Sequence, residues 1–306
     1  MKSITHPTGL FDNSPRDYQH ITAVPLAAAM GAEIRGVDLS QVSDEAFSEI
    51  EDALYRHKLI FFRDQDISFT DHENITLRFG EFGTDAYTKG VEGHENIQPV
   101  IKEATLETKM VFGSGWHTDS AFLECPPSIA INYGKDMPPY GGDTLFANSA
   151  LAYKGLSPAM KEMIDPLKVW MSAKHVVASM QAEKQSKTPR KSGELGSLEL
   201  DVDTQKMIEG SYHPLVRTHP VTGEKSLYVD KTYACGIEGM TEEESRPLLD
   251  FLANFATQES FICRLKWHNN TVIMWDNRIC LHQAFNDYDG YRREMYRAVV
   301  MGERPE

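Results

Sequence analysis

The sequence predicts a mainly β protein with flanking helices, built on a two-sheet, jelly-roll type of core. Two observations carry this. From about residue 98, short strand-like runs follow one another, separated by turn signals at Pro126-Pro127, Pro138-Pro139 and Gly141-Gly142. These runs cluster around a helix-containing insertion, an order that suits a sandwich or jelly roll with helices packed outside. No internal repeat is present.

Taken in order, residues 1–18 read as an N-terminal arm and 19–306 as a single domain. Segments 21–25 and 32–39 have the apolar/polar alternation of half-buried strands. Ser43-Asp44-Glu45 then caps a helix whose apolar residues Phe47, Ile50, Leu54 and Tyr55 recur near every 3.6 positions. The apolar run 59–62 reads as a buried strand, and Thr70-Asp71 opens a second helix that ends near Phe79-Gly80. Strands are expected at 99–101, 128–133 and 143–146, with a helix-rich stretch over roughly 148–165. Residues 181–205 are polar and read as an insertion or lid. Strand signals return at 215–217 and 226–229. A helix follows from Thr241 to about Phe255, its acidic first turn (Glu242, Glu243, Glu244) suiting the helix dipole. The last strands are expected at 261–265, 272–275 and 296–301.

A chain of 306 residues, 41% of them hydrophobic, can bury a sizeable core. Its net charge of -14 argues against broad binding to nucleic acid or to an anionic membrane, while a single pocket can still be basic. Cys125, Cys235, Cys263 and Cys280 form no CxxC pair and read as reduced, mostly buried thiols. The N-terminal residues have no apolar stretch of signal-peptide length, and the longest apolar-rich run, 24–30, is too short to span a bilayer. A cytoplasmic protein acting on a small molecule is the expectation.

The sharpest local feature is Trp116-His117-Thr118-Asp119, preceded by Gly113-Ser114-Gly115. In an extended segment residues i and i+2 share a face, so His117 and Asp119 can reach one metal ion together. A second imidazole from elsewhere would complete the two-histidine, one-carboxylate set of non-haem Fe(II) oxygenases, which leaves positions on the metal open. A lone HxD pair arises by chance in a chain with 11 histidines, so other features must support it. One is Trp275-Asp276-Asn277-Arg278 leading to His282, an apolar strand that runs into a polar turn and then presents a histidine. Arg292, Arg293 and Arg297 follow; Arg293 and Arg297 share a face in a strand and are neighbours in a helix. Guanidinium binds carboxylate through two parallel hydrogen bonds. In Gly141-Gly142-Asp143-Thr144, the glycines make a tight turn and Thr144 offers a hydroxyl.

In this order and spacing the segments resemble the taurine/2,4-dichlorophenoxyacetate dioxygenase family of Fe(II)/2-oxoglutarate enzymes. Val216-Arg217-Thr218-His219-Pro220, Gly36-Val37-Asp38-Leu39 and Phe79-Gly80-Glu81 add to the likeness, which covers roughly residues 20–302. The resemblance implies a distorted double-stranded β-helix. It implies His117, Asp119 and His282 as iron ligands, and Thr144 and Arg293 as the clamp on the distal carboxylate of 2-oxoglutarate. It also implies O2 as the second cosubstrate, succinate and CO2 as products, and a homo-oligomer. Because Asp119 is retained, where halogenases of the wider superfamily carry a small residue, the chain is expected to hydroxylate and not to chlorinate.

For the substrate, Arg297 matches the position that faces the sulfonate in the taurine enzyme. Asp85 stands where that enzyme has a histidine, and Gly113 where it has an asparagine, so taurine is not the expected substrate. Arg297 favours a small organic acid; Asp85, if it lines the pocket, makes an amino-acid-like substrate plausible. Two other classes compete: a non-catalytic metal-binding jelly-roll protein, and a zinc hydrolase using the same three ligands.

Overall fold

The computed structural model describes residues 4–106, 113–185 and 203–306, with side chains of 180–185 excepted. In chain order the first elements are β1 (Thr22–Pro25), β2 (Ala32–Arg35), α1 (Asp44–His57), β3 (Leu59–Phe62), α2 (Phe69–Phe79), β4 (Gln98–Lys102), β5 (Ile129–Asp136) and β6 (Thr144–Asn148). Then come α3 (Ser149–Gly155), α4 (Pro158–Ile164), β7 (Lys168–Met171), α5 (Lys174–Gln185), α6 (Thr204–Glu209), β8 (Ser211–Pro214), β9 (Val216–Thr218), β10 (Lys225–Leu227) and β11 (Ala234–Ile237). The last are α7 (Glu242–Ala256), β12 (Ile262–Leu265), β13 (Thr271–Asp276), β14 (Cys280–Ala284) and β15 (Arg293–Val300).

Seven strands form the main sheet in the order β1-β2-β3-β13-β5-β15-β4, and a smaller sheet runs β12-β6-β14. Alternation along β13 shows how the layers stack. Val272 and Met274 join a buried cluster with Ile50 and Leu54 of α1 and Ile75 of α2. Ile273 and Trp275, on the other face, join Phe146 of β6, Leu265 of β12 and Cys280 of β14. Helices therefore cover one face of the main sheet and the small sheet packs on the other, which is why its central strands are apolar on both sides. The fold is mainly β with flanking helices.

Helix α1 forms where its caps and stripe coincide. The Ser43 hydroxyl accepts from Ala46 N, Asp44 and Glu45 occupy the first turn, and Lys58 ends the helix in the left-handed region. Its buried residues, Ile50, Ala53 and Leu54, lie on the sheet, and each large aliphatic side chain contributes about 2 kcal/mol by leaving water.

Two expectations change. The strand expected over 32–39 stops at Arg35, because Gly36 turns the chain at φ 88° and Asp38 caps a short 3-10 turn, Leu39–Gln41. The N-terminal segment is anchored: Asn13 is fully buried and donates to the carbonyls of Ala27 (2.7 Å) and Gly31 (2.9 Å). Of the polar insertion expected at 181–205, residues 186–202 lie outside the described residues; α5 runs into it and α6 leaves it. Strands β7, β8, β11 and β14 were not expected from the sequence, being four or five residues long and mixed in polarity. No helix among the described residues is long and apolar enough to cross a membrane.

Candidate metal centre and cosubstrate cleft

The site lies between the two sheets. As expected, the chain runs from an apolar strand, β13, through a turn to His282, which sits in the middle of β14, and His117 pairs with it as an isolated antiparallel bridge. His117 N donates to His282 O (3.0 Å) and His282 N donates to His117 O (2.8 Å), so the two imidazoles leave the backbone side by side. Asp119 comes to the same point: its Oδ1 is 3.5 Å from His117 Nε2 and 3.6 Å from His282 Nε2. The three groups offer ligand atoms within 4.8 Å of one another and all are buried.

Neighbouring groups prepare these atoms. The His117 Nδ1 lies 2.7 Å from the Gly115 carbonyl, which makes Nδ1 the protonated nitrogen and leaves the Nε2 lone pair facing Asp119. Burial favours the neutral form of Asp119, but Arg297, His282 and His117 outweigh it and hold the carboxyl well below the usual range. Burial and the nearby His117 push His282 down to about 3, so it is neutral and can ligate. Asp119 Oδ2 is buried and makes no hydrogen bond, as a ligand oxygen would before its ion arrives. Burial favours neutral His117, but Asp119 and the Gly115 carbonyl outweigh it and push His117 up, so an arriving cation would have to displace any proton on its Nε2. With neutral His282 and ionised Asp119, the donor set fits Fe(II) chemically.

Asn277 secures the carboxylate from behind. Its Oδ1 accepts from Asp119 N (2.9 Å) while its Nδ2 donates to the carbonyls of Asp119 (3.1 Å) and Pro127 (3.0 Å). Beside it, Asp276 accepts three hydrogen bonds from Arg278, one of them from its backbone N–H, and one from His219 at 2.7 Å, holding the turn between β13 and β14. The Trp-Asp-Asn-Arg and Val-Arg-Thr-His-Pro segments thus meet each other, and their part is to hold a ligand strand.

Strand alternation places Arg293, Met295 and Arg297 on the face of β15 that looks between the sheets. Arg293 shares the cleft with His117, His282 and Thr144, which faces it from β6 in the small sheet. The Thr144 hydroxyl accepts from Trp267 Nε1 (2.9 Å), and the Arg293 guanidinium lies 5.7 Å from the Trp267 ring centre. Phe146 stacks on the His282 ring (centroids 5.8 Å apart) and Trp275 packs at 4.9 Å, keeping water from that side.

Arg297 and Asp85 are brought together as an ion pair, with Arg297 Nη2 donating to Asp85 Oδ2. Arg297 Nη1 also lies 3.3 Å from Asp119 Oδ1. Gly113 has a reason beyond substrate choice: its φ is 79°, and a Cβ there would stand 3.2 Å from the His117 ring. Sequence reasoning missed Asn132 and Trp267, which line the same cleft, and named Asn277 in its motif without a role. Asn132 interrupts the otherwise apolar start of β5, and that polar break was the available signal. Trp267 sits in a loop with no pattern around it.

Two imidazoles and one carboxylate lining a cleft together with an arginine and a threonine form a set chemically suited to a mononuclear metal centre beside an anionic ligand. Residues 22–299 match the taurine catabolism dioxygenase TauD, TfdA family, and the chain belongs to it. It is 32% identical over 289 residues to an alpha-ketoglutarate-dependent sulfate ester dioxygenase of Pseudomonas putida, covering 92% of this chain and 89% of that one. Among solved structures, a taurine dioxygenase from Burkholderia xenovorans superposes with TM-score 0.75 at 32% identity, covering 94% of this chain and 91% of that one. AAD-2, solved with Mn(II) and N-oxalylglycine, also superposes at 0.75, with 28% identity and coverage of 94% and 99%. The cofactor set is Fe(II) with 2-oxoglutarate and O2.

Proposed function

We propose that this protein hydroxylates a small organic acid other than taurine, with 2-oxoglutarate converted to succinate and CO2. One oxygen atom of O2 enters the substrate as a hydroxyl and the other enters succinate. The observation that carries the reading is the convergence of His117, Asp119 and His282 in a cleft shared with Thr144 and Arg293.

The three ligand residues would hold the iron, which when bound supplies the oxygen-activating redox chemistry. Everything else falls to the chain. Arg293 and the Thr144 hydroxyl bind the distal carboxylate of 2-oxoglutarate in a dry cleft, where guanidinium–carboxylate pairing is strong. Phe146 and Trp275 exclude water beside His282. Arg297 and Asp85 form the end wall of the substrate pocket. No side chain is required to take or give a proton.

The packing of the small sheet on the main sheet supports a double-stranded β-helix core and one domain over 19–306. The four unpaired cysteines suit a reducing, cytoplasmic setting. A homo-oligomer is part of the same proposal by family likeness alone. The test is succinate release from 2-oxoglutarate by Fe(II)-loaded protein. Release that needs both iron and O2 supports the reading. A metal-binding sensor would release none, and a zinc hydrolase would be indifferent to 2-oxoglutarate.

A further inference from the structure

Asp85 is engaged at both of its oxygens. Its Oδ1 accepts from the backbone N–H groups of Tyr87 (2.9 Å) and Thr88 (3.2 Å), and its Oδ2 accepts from Arg297. Both partners of this ion pair are buried, 4% and 6% exposed. The other Nη of Arg297 lies 3.3 Å from Oδ1 of Asp119. The guanidinium therefore stands between two carboxylates.

Charge in such a place must balance, because an unpaired buried charge costs several kcal/mol. Among the described residues, two guanidinium groups (Arg293, Arg297) and two carboxylates (Asp85, Asp119) meet at the cleft. A doubly positive metal ion and doubly negative 2-oxoglutarate cancel each other. The loaded site is thus neutral before any substrate arrives. Neighbouring groups do not change this toward positive. Lys102, beside Arg293 in register, is matched by Asp289 at 2.8 Å, and Asp230 adds only negative charge behind His117. Without Asp85 the site would carry one positive charge, the situation in which a substrate anion is stabilised.

We infer that Asp85 sets the charge preference of the pocket, and that the substrate carries no net charge: a small acid offset by its own ammonium group, as in an amino acid. The inference rests on the dioxygenase reading, since metal and cosubstrate enter the charge balance. A singly charged anion must either break the Asp85–Arg297 pair, leaving a buried carboxylate alone, or lie beside a guanidinium already neutralised. The packing behind the pair is aromatic and apolar: Tyr87 packs on Phe122 (5.8 Å), Phe122 on Tyr233 (5.2 Å), and Tyr233 on His117 (6.3 Å), so no charge is added from that side.

The test loads the protein with Mn(II) and N-oxalylglycine and titrates it calorimetrically with 3-phenylpropionate, an anion, and with phenylalanine, its zwitterionic counterpart. Asp85→Asn keeps the acceptor for Tyr87 N and Thr88 N but removes the charge; Asp85→Ser removes the charge in a smaller side chain. The anion is expected to bind either variant at least about tenfold more tightly than it binds the wild type, while phenylalanine gains nothing. Equal affinity of the anion for wild type and variants, including no binding to any, overturns the inference, as does tighter binding to the wild type. Failure to take up Mn(II) and N-oxalylglycine is seen before any probe is added and overturns the dioxygenase reading with it.

Discussion

Asn277 grips Asp119 by its backbone on both sides, accepting from its N–H at 2.9 Å and donating to its carbonyl at 3.1 Å. The residues are 158 positions apart in the chain, and their contact ties the HxD segment to the turn that precedes the His282 strand. An amide is the one side chain of this size that can both accept and donate here.

Asn277→Ala should therefore loosen Asp119 without removing any ligand. We expect metal affinity to fall by about 10- to 100-fold, with a loss of stability on the order of 3 kcal/mol from the buried groups left unpaired. Metal titration and chemical denaturation read the two effects. Wild-type metal affinity in this variant would show that Asp119 holds its place without help.

Asp119→Ala removes the single anionic ligand. It should abolish hydroxylation and lower the thermal shift produced by Fe(II) or Mn(II) to near zero, since metal that binds only the folded state stabilises it by mass action. Chelation should lower the wild-type melting temperature and leave that of the variant unmoved. A variant that still melts higher with metal would remove Asp119 from the ligand set.

Arg293→Ala should weaken 2-oxoglutarate binding by 100-fold or more, a loss of about 3 kcal/mol for a buried charge-assisted pair, with metal binding little changed. Calorimetric titration of the Mn(II) protein with 2-oxoglutarate decides it; an unchanged dissociation constant contradicts the clamp.

Gly113→Asn tests whether this position selects substrate. The left-handed backbone tolerates asparagine, but its Cβ presses on the His117 ring at 3.2 Å. We expect weaker metal binding and no gain of taurine turnover. Taurine turnover with normal metal affinity would restore Gly113 as a specificity position.

His57, His72 and His213 are each pushed down to about 4 by burial. Their unfolded pKa is near 6.5, so the unfolded chain binds protons first as pH falls. The stability that their neutrality represents is complete above pH 6.5 and is lost as pH drops from there toward 4. Between pH 6 and 5, where most carboxylates are still ionised in either state, these three histidines should contribute an uptake of about two to three protons on unfolding. Urea unfolding across this window measures the slope, and a flat profile would refute the assignment. His72→Gln should lower the uptake by about one.

Much of the site was legible in the sequence because strand geometry is local. The two-residue period of an extended chain puts His117 with Asp119 on one side, and Arg293 with Arg297 on another, wherever those strands lie. Helices α1 and α7 were legible through Ser43 and Thr241, whose caps lie next to an apolar stripe, and α2 through Thr70-Asp71, although its cap is Ser68, two residues earlier. Strand β14 was not, because Cys280-Leu281-His282-Gln283-Ala284 has weak alternation, and pairing with β6 is what makes it a strand. Trp267 and Asn132 were missed for the same reason: one sits in an irregular loop and the other is a single polar break.

By itself the sequence determined the chemistry available, two imidazoles, a carboxylate, a hydroxyl and two arginines, and put His117 with Asp119 and Arg293 with Arg297 on shared faces. Only the tertiary structure decided that Asp85 neutralises Arg297 across 212 residues of chain, and that Asn277 holds Asp119. The physical reason is range. A side chain's face follows from the dihedral angles of its own segment, whereas the partner of a buried charge depends on which distant segments the packing of two sheets brings to the same few ångströms. The charge of the pocket is a property of that packing.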